Sequence, residues 1–492
     1  MPLIPLQIPA GQFRNGTDLQ ASGRWTDGSL VRWNEGAMMP VGGWRQRGTV
    51  DIAGVVRGML SWKDNDQSRF LAFGTHDKLF VMEEDDDVFD ITPVGFTAGR
   101  VNASANTGYG GGFYGQETYG TSRQDSFSLL EPTTWALDTW GEYIVGCTSD
   151  DGKLYEWQLN TASPAAVISN APVNNTSLVV TEERFLFALG AGGDPRKVQW
   201  CDREDNTSWT PSTTNEAGDI LLQTNGFLMA GVRTRGETVL LTSSDCHVAR
   251  YSGPPFVFGF ERVGTSCGLI GPKAAASIDR GVVWMGSRGF HLYSGGAVQD
   301  LPCEVSDYVF SSINRDQLSK VCAVVNSAWR EIWWLYPSGV GTECDRYVAY
   351  DYGENVWMTG NIDRTSGVDT GTFRLPMWIA PSGELYEHET GNQYGSNAVF
   401  VESGPISIGS GDNVMKVTSL IPDEKTQGGV TATFKTRFYP NSAESTFGPF
   451  TMSSPTPVRF TGRQMRMRVD GATNSDWRVG IMRVDAVSGG KR

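Results

Sequence analysis

The sequence is poor in the residues from which most active sites are built. Its 492 residues include 7 cysteines and 4 histidines. No two cysteines form a CxxC pair, and an odd number of thiols cannot all pair in disulfides. Reduced, mostly buried thiols are expected. The closest Cys/His pair, Cys246 and His247, consists of chain neighbours whose side chains point to opposite faces of a strand. No metal site is expected. No stretch approaches the ~18 consecutive apolar residues that a membrane span needs. The opening Met1-Pro2-Leu3-Ile4-Pro5-Leu6 lacks the basic region of a signal peptide. The chain is therefore expected to be soluble and unexported. Catalytic motifs are missing too: there is no GxSxG, Walker-type loop, HExxH, or GxGxxG between a strand and a helix. An enzyme needs a nucleophile with a base, or paired carboxylates on a credible scaffold. No catalytic residue, no cofactor and no enzymatic activity are expected.

Positive charge is also scarce. Lys+Arg total 41 against 55 Asp+Glu, a net charge of -14. Nucleic-acid binders carry basic patches that release counterions from phosphates, so tight DNA binding is not expected. The imbalance is uneven: residues 401 to 492 hold 12 basic and 8 acidic residues, while the first 400 hold 29 and 47. Two bodies with different partners are implied. Arginine outnumbers lysine 31 to 10. Its planar fork suits protein interfaces, as in an assembly subunit, although surface composition alone produces the same ratio.

Turn-makers and aromatics are abundant, with 59 glycines, 23 prolines and 11% Phe, Trp and Tyr. That profile means many short strands and few long helices. A unit of apolar strand, polar turn and aromatic-bearing strand recurs. Examples are Phe70-Leu71-Ala72-Phe73 followed by Lys78-Leu79-Phe80-Val81, and Val282-Val283-Trp284-Met285 followed by Phe290-His291-Leu292-Tyr293. Seven such units, marked by Lys78, Lys153, Lys197, His247, Phe290, Tyr347 and Leu385, are spaced at the ~40–50 residues of propeller blades once two additions are set aside. One addition is an insertion at about 95–132. The other is an expected helix from Glu304 to Lys320, with Val305, Val309 and Ile313 at helical spacing. The expected fold is all-β: a β-propeller of about seven blade-like units over residues 51–400, followed by a β-sandwich over 401–492. Residues 1–50 are expected to pack on the propeller or a platform. A β-sandwich array without closure is the alternative.

Three local features are candidate sites. In the C-terminal part, Gln464-Met465-Arg466-Met467-Arg468-Val469 alternates strictly, placing Arg466 and Arg468 opposite Met465, Met467 and Val469. The arginine row is either solvated or docks an acidic neighbour. The run Glu83-Glu84-Asp85-Asp86-Asp87 joins two apolar segments. Its five carboxylates form either a solvated hairpin tip, expected to face a lumen, or a divalent-cation site that lacks the spaced ligands and glycine of a calcium loop. The insertion repeats Tyr109-Gly110, Tyr114-Gly115 and Tyr119-Gly120 every five residues. It is either a projecting loop whose aromatics anchor on a partner, or a flexible spacer. The sequence Ser149-Asp150-Asp151-Gly152 faintly resembles the Asp-box turn of sialidase propellers, but its glycine comes one residue early and no second copy appears.

The opening carries Pro5-Leu6-Gln7-Ile8-Pro9-Ala10-Gly11, Arg14-Asn15-Gly16-Thr17, Gly23-Arg24-Trp25, Leu30-Val31-Arg32-Trp33 and Pro40-Val41-Gly42-Gly43-Trp44-Arg45. These motifs resemble the N-terminal signature of a family of virion structural proteins from tailed bacteriophages. The Tyr-Gly insertion, the stretch from Trp135 to Glu142, and the ending Thr461-Gly462-Arg463 with Asp476-Trp477-Arg478-Val479-Gly480 look like the same family, so the resemblance spans essentially the whole chain. The order of parts is similar to the tail nozzle, or tail tubular protein B, of short-tailed phages. The resemblance implies a noncatalytic subunit of a homo-hexameric ring in the virion tail, assembled in the host cytoplasm. It further implies docking to the adapter, or head-to-tail connector, and to a tail fibre or tailspike, with double-stranded DNA passing through unheld. The alternatives are a glycan-binding or glycan-cleaving tail-associated propeller that recognises the host, and a cytoplasmic scaffold propeller.

Overall fold

The computed structural model describes residues 3–105, 129–407, 413–426, 428–471 and 475–490. Seven four-stranded antiparallel sheets follow one another along the chain. Blade one holds Met59–Lys63, Arg69–Gly74, Leu79–Met82 and Val88–Asp90. Blades two to six start with the strands Trp135–Trp140, Ser177–Val180, Leu228–Thr234, Ala275–Ile278 and Cys322–Asn326. Blade seven holds Ser366–Val368, Met377–Ile379 and Glu384–His388. The first strands neighbour one another in chain order, and Ser366–Val368 meets Met59–Lys63. The sheets therefore close into a ring, which makes the fold a seven-bladed β-propeller.

The second strands are mostly apolar, and all seven residues from Glu331 to Pro337 are buried. A blade is covered by a neighbour on each face, so both sides of its central strands lose water and strict polar alternation is not required. The fourth strand of blade seven comes from the other end of the sequence. It is Trp44–Asp51, paired antiparallel with Glu384–His388, with Trp44 opposite His388 and Arg45 opposite Glu387. The N-terminal region thus closes the ring. The expected helix is broken into an α-helix at Ser306–Ser312 and a 3-10 turn at Arg315–Lys320. Ile313 between them is extended, and the Asn314 side chain accepts a hydrogen bond from the Asp316 N–H to start the second piece. Val305, Val309 and Ile313 are all buried, as their spacing predicts.

The C-terminal body is a β-sandwich of two sheets. One runs Leu3–Leu6, Met482–Ser488, Met415–Ile421, Thr456–Gly462. The other runs Trp25–Ser29, Phe400–Ser403, Gln464–Gly471, Val430–Arg437, Ser445–Thr451, with Ile406–Ser407 also pairing to Gln464–Gly471. Two of these strands come from the first 30 residues. The sandwich is not a separate tail: one apolar core joins Val324, Trp333 and Trp378 of blades six and seven to Trp25, Trp33, Met467 and Val484.

Candidate assembly surfaces

The N-terminal signature forms the joint between the two bodies. After Trp25–Ser29, a hairpin of Val31–Asn34 and Ala37–Pro40 carries the Arg32 side chain inward, where it is 1% exposed. Its guanidinium reaches Glu331 of blade six at 2.9 Å and Glu389, just past blade seven, at 2.6 Å. Trp333 donates its indole N–H to Glu331 at 2.9 Å, and Asn326 donates to Glu389 at 2.8 Å. Burial raises the Glu331 carboxyl from 4.5 to about 7, against the pull of Arg32. Gly42 and Gly43 pass so close to the next segment that a Cβ on Gly43 would lie 2.5 Å from the Gln393 backbone nitrogen.

The structure brings the acidic turn and the closing strand together. Glu83–Asp87 joins the third and fourth strands of blade one, in its outer half, so it does not border the axis lined by the first strands. Asp86, at φ 74, meets Arg47 of the closing strand at 2.5 Å, while Glu84 meets Arg69 at 2.7 Å. Partial burial, then the charges of Asp85 and Asp87, push the Glu83 carboxyl above its ordinary range.

The arginine row is already occupied within the chain. Arg466 pairs with Asp18 and, at 3.0 Å, with Glu444. Arg468 pairs with Asp470 at 2.8 Å and lies 3.7 Å over the Phe400 ring. The opposite face behaves as the alternation predicts, with Met465, Met467 and Val469 at most 1% exposed. Three other cations stand on the other sheet: Lys416, Arg459 and Arg483 are exposed and make no ion pair among the described residues. Their signal is an apolar-cation-apolar triplet repeated in Met415-Lys416-Val417, Val458-Arg459-Phe460 and Met482-Arg483-Val484.

Tyr109, Tyr114 and Tyr119 lie outside the described residues, but both feet of their insertion are described. Gly99 donates to the His76 carbonyl at 2.7 Å, and Thr133 to the Arg100 carbonyl at 2.9 Å. Further along, Arg57 holds the Val101 carbonyl at 3.1 Å, and Ala103 donates to the Gln317 side chain at 3.1 Å. Lys320, fully buried, reaches Asn102 at 2.5 Å and Glu343 at 3.0 Å, and Glu343 also pairs with Arg57 at 2.7 Å. Burial and Arg57 lower the Lys320 pKa, and Glu343 opposes them. The foot starts between blades one and two and is held by residues between blades five and six, so it crosses one end of the propeller axis.

All seven cysteines are free thiols, six of them buried. Burial pushes Cys201 and Cys303 up to about 12 and Cys267 to about 11, which keeps them as unreactive thiols at neutral pH. A cavity of about 70 Å³ between the first strands of blades two to four is lined by Trp135, Asp138 and Lys273. It is smaller than the roughly 300 Å³ at which ligand pockets begin, whereas open clefts of about 510 and 520 Å³ lie beside Trp157 and beside Arg47, and one of about 460 Å³ is lined by Leu6, Ile8, Trp25, Trp33 and Met38. Among the described residues no three His, Cys, Asp or Glu side chains gather as a metal site. No helix there is long and apolar enough to cross a membrane.

No protein-family model matches the sequence, and no curated protein is similar to it. Solved structures with similar architecture include virginiamycin B lyase from Staphylococcus aureus, at a TM-score of 0.45 and 5% identity over 70% of this chain and 98% of that one. BamB from Moraxella catarrhalis aligns at 0.37 and 7% identity, covering 74% and 96%. The N-terminal domain of Nup159 aligns at 0.37 and 10% identity, covering 74% and 99%.

Proposed function

We propose that this chain is a noncatalytic structural subunit of a phage tail nozzle, built into a sixfold ring around the DNA exit channel. In that role it docks to the adapter and carries fibres or tailspikes in the virion tail. One observation carries the reading. The residues that resemble the phage virion family are the ones that join propeller to sandwich: Arg32 bridges Glu331 and Glu389, and Gly43 passes against Gln393. The signature thus builds a joint within the molecule. A body that closes its ring with its own N-terminal strand and shares one core with its sandwich suits a rigid conduit wall. The net charge of -14 supports passage without capture, because a negative wall offers phosphates no deep electrostatic trap.

The test is to image the purified full chain with and without the adapter. Sixfold rings that stack on the adapter are the expected result. A monomer that binds or cleaves glycans, and that does not join the adapter, would overturn the proposal in favour of a host-recognition propeller.

A further inference from the structure

Two surfaces of opposite charge stand on different bodies of the molecule. The first is the outer face of the sandwich sheet that holds Leu3–Leu6. Arg483 and Pro5 are opposite one another there, as are Lys416 and Thr461. Opposed residues of an antiparallel pair share a face, so Lys416, Arg459 and Arg483 occupy one side on three adjacent strands, together with Leu3, which is 43% exposed. The second surface is one end of blades one to three. The loops joining strands one and two, and strands three and four, all open at the same end of a propeller. Blade one presents exposed Asp66, Asp85 and Asp87 there, and blade three presents exposed Glu182, Glu204 and Asp205 beside Arg184 and Arg203. None of the six makes an ion pair among the described residues.

Resting on the nozzle reading, we infer that the basic sandwich face of one copy docks onto the acidic end of blades one to three of a second copy. Trp25–Ser29 of the sandwich lies beside Val356–Asn361, the outer strand of blade six. In a ring of seven blades, the third stands across the axis from the sixth, while the first lies two blades from the sixth. The two surfaces are therefore distinct patches on one chain, as a head-to-tail contact repeated around a closed ring requires. Pairing either surface with itself would bring like charges together. A nucleic-acid role fits less well, because Asp485 and Leu3 share the basic face and the molecule carries a charge of -14.

Two full-length variants test the contact by sedimentation velocity at low salt. One is Lys416→Glu, Arg459→Glu, Arg483→Glu. The other is Asp85→Lys, Asp87→Lys, Glu182→Lys, Glu204→Lys. Each should keep the wild-type melting curve and self-associate at least about tenfold more weakly, the factor that 1.4 kcal/mol of lost contact produces. Mixed in equal amounts they should regain wild-type association, because each sandwich then meets an opposite charge and an alternating ring of even number closes. Wild-type association of either variant alone, or no recovery in the mixture, overturns the contact. So does loss of retention on double-stranded DNA with association unchanged. If both variants still form rings on the adapter, the contact falls and the nozzle reading stands. A wild-type chain that stays monomeric beside the adapter overturns both.

Discussion

Arg466 and Lys416 occupy equivalent places in alternating strands of the same sandwich, yet their surroundings give them opposite tasks. Arg466 is 19% exposed and held by Asp18 and Glu444. Replacing Arg466 and Arg468 by Glu would set new carboxylates against Asp18, Glu444, Glu402 and Asp470. The expected cost lies between the roughly 1 kcal/mol of an exposed pair and the ~3–5 kcal/mol of breaking a buried one, measured by urea unfolding. Lys416→Glu should cost under about 1 kcal/mol in the same experiment. At the joint, Arg32→Met strands Glu331 and Glu389 without a cation and should remove ~3–5 kcal/mol. The pH dependence there has a definite sign. The folded Glu331 carboxyl titrates near 7 rather than 4.5, so the native state keeps a proton that the unfolded chain releases. This stabilising contribution is present below 4.5 and is lost as pH rises toward about 7. Melting temperatures of Glu331→Gln should show a flatter fall across that window than the wild type. An identical slope in both would show that this carboxyl does not titrate there.

Among the elements, the closing strand Trp44–Asp51 carries the most consequence. It covers the edge of Glu384–His388 and ties blade seven to blade one through Arg47 and Asp86. Its entry is steric: Gly43→Ala would push a methyl group against the Gln393 backbone and should cost about 1–3 kcal/mol, read as a lower melting temperature. The described foot of the insertion is held by polar contacts from Arg57, Gln317 and Lys320. Replacing Tyr109, Tyr114 and Tyr119 together by Ser should therefore leave the melting curve unchanged while lowering the yield of assembled particles, since a single aromatic anchor commonly supplies about 2 kcal/mol or more. Normal particle yield from that variant would make the insertion a spacer.

At the scale of the whole molecule, charge is segregated: the sandwich segment holds 12 basic and 8 acidic residues, and the rest 29 and 47. Segregated charge makes association salt-sensitive, because the Debye length falls from about 10 Å at 0.1 M to about 3 Å at 1 M. Raising salt through that range should weaken self-association of the wild type, followed by sedimentation. Association that is independent of salt would place the contact on apolar surface instead.

What the sequence determined by itself was whatever depends on neighbours along the chain. The spacing of apolar hairpins marked seven blades, because each blade is a local meander. The alternation from Met465 to Val469 assigned the two faces of its strand, because successive strand side chains must point to opposite sides. The buried positions of Val305, Val309 and Ile313 followed from helical spacing in the same way. Tertiary structure alone decided which distant segments meet. It took Trp44–Asp51 from the N-terminal segment to complete blade seven, and Leu3–Leu6 and Trp25–Ser29 to complete the sandwich. It also decided which cations are free. Arg466 is occupied because Asp18, more than 400 positions away in the sequence, and Glu444 approach only in the folded chain, whereas the partner of Arg468, Asp470, is two residues along its own strand. Lys416, Arg459 and Arg483 came to share a face only through the pairing of three strands. Strand period is a property of successive peptide units, whereas ion pairing and sheet order depend on which surfaces long loops bring together, and no local pattern encodes that.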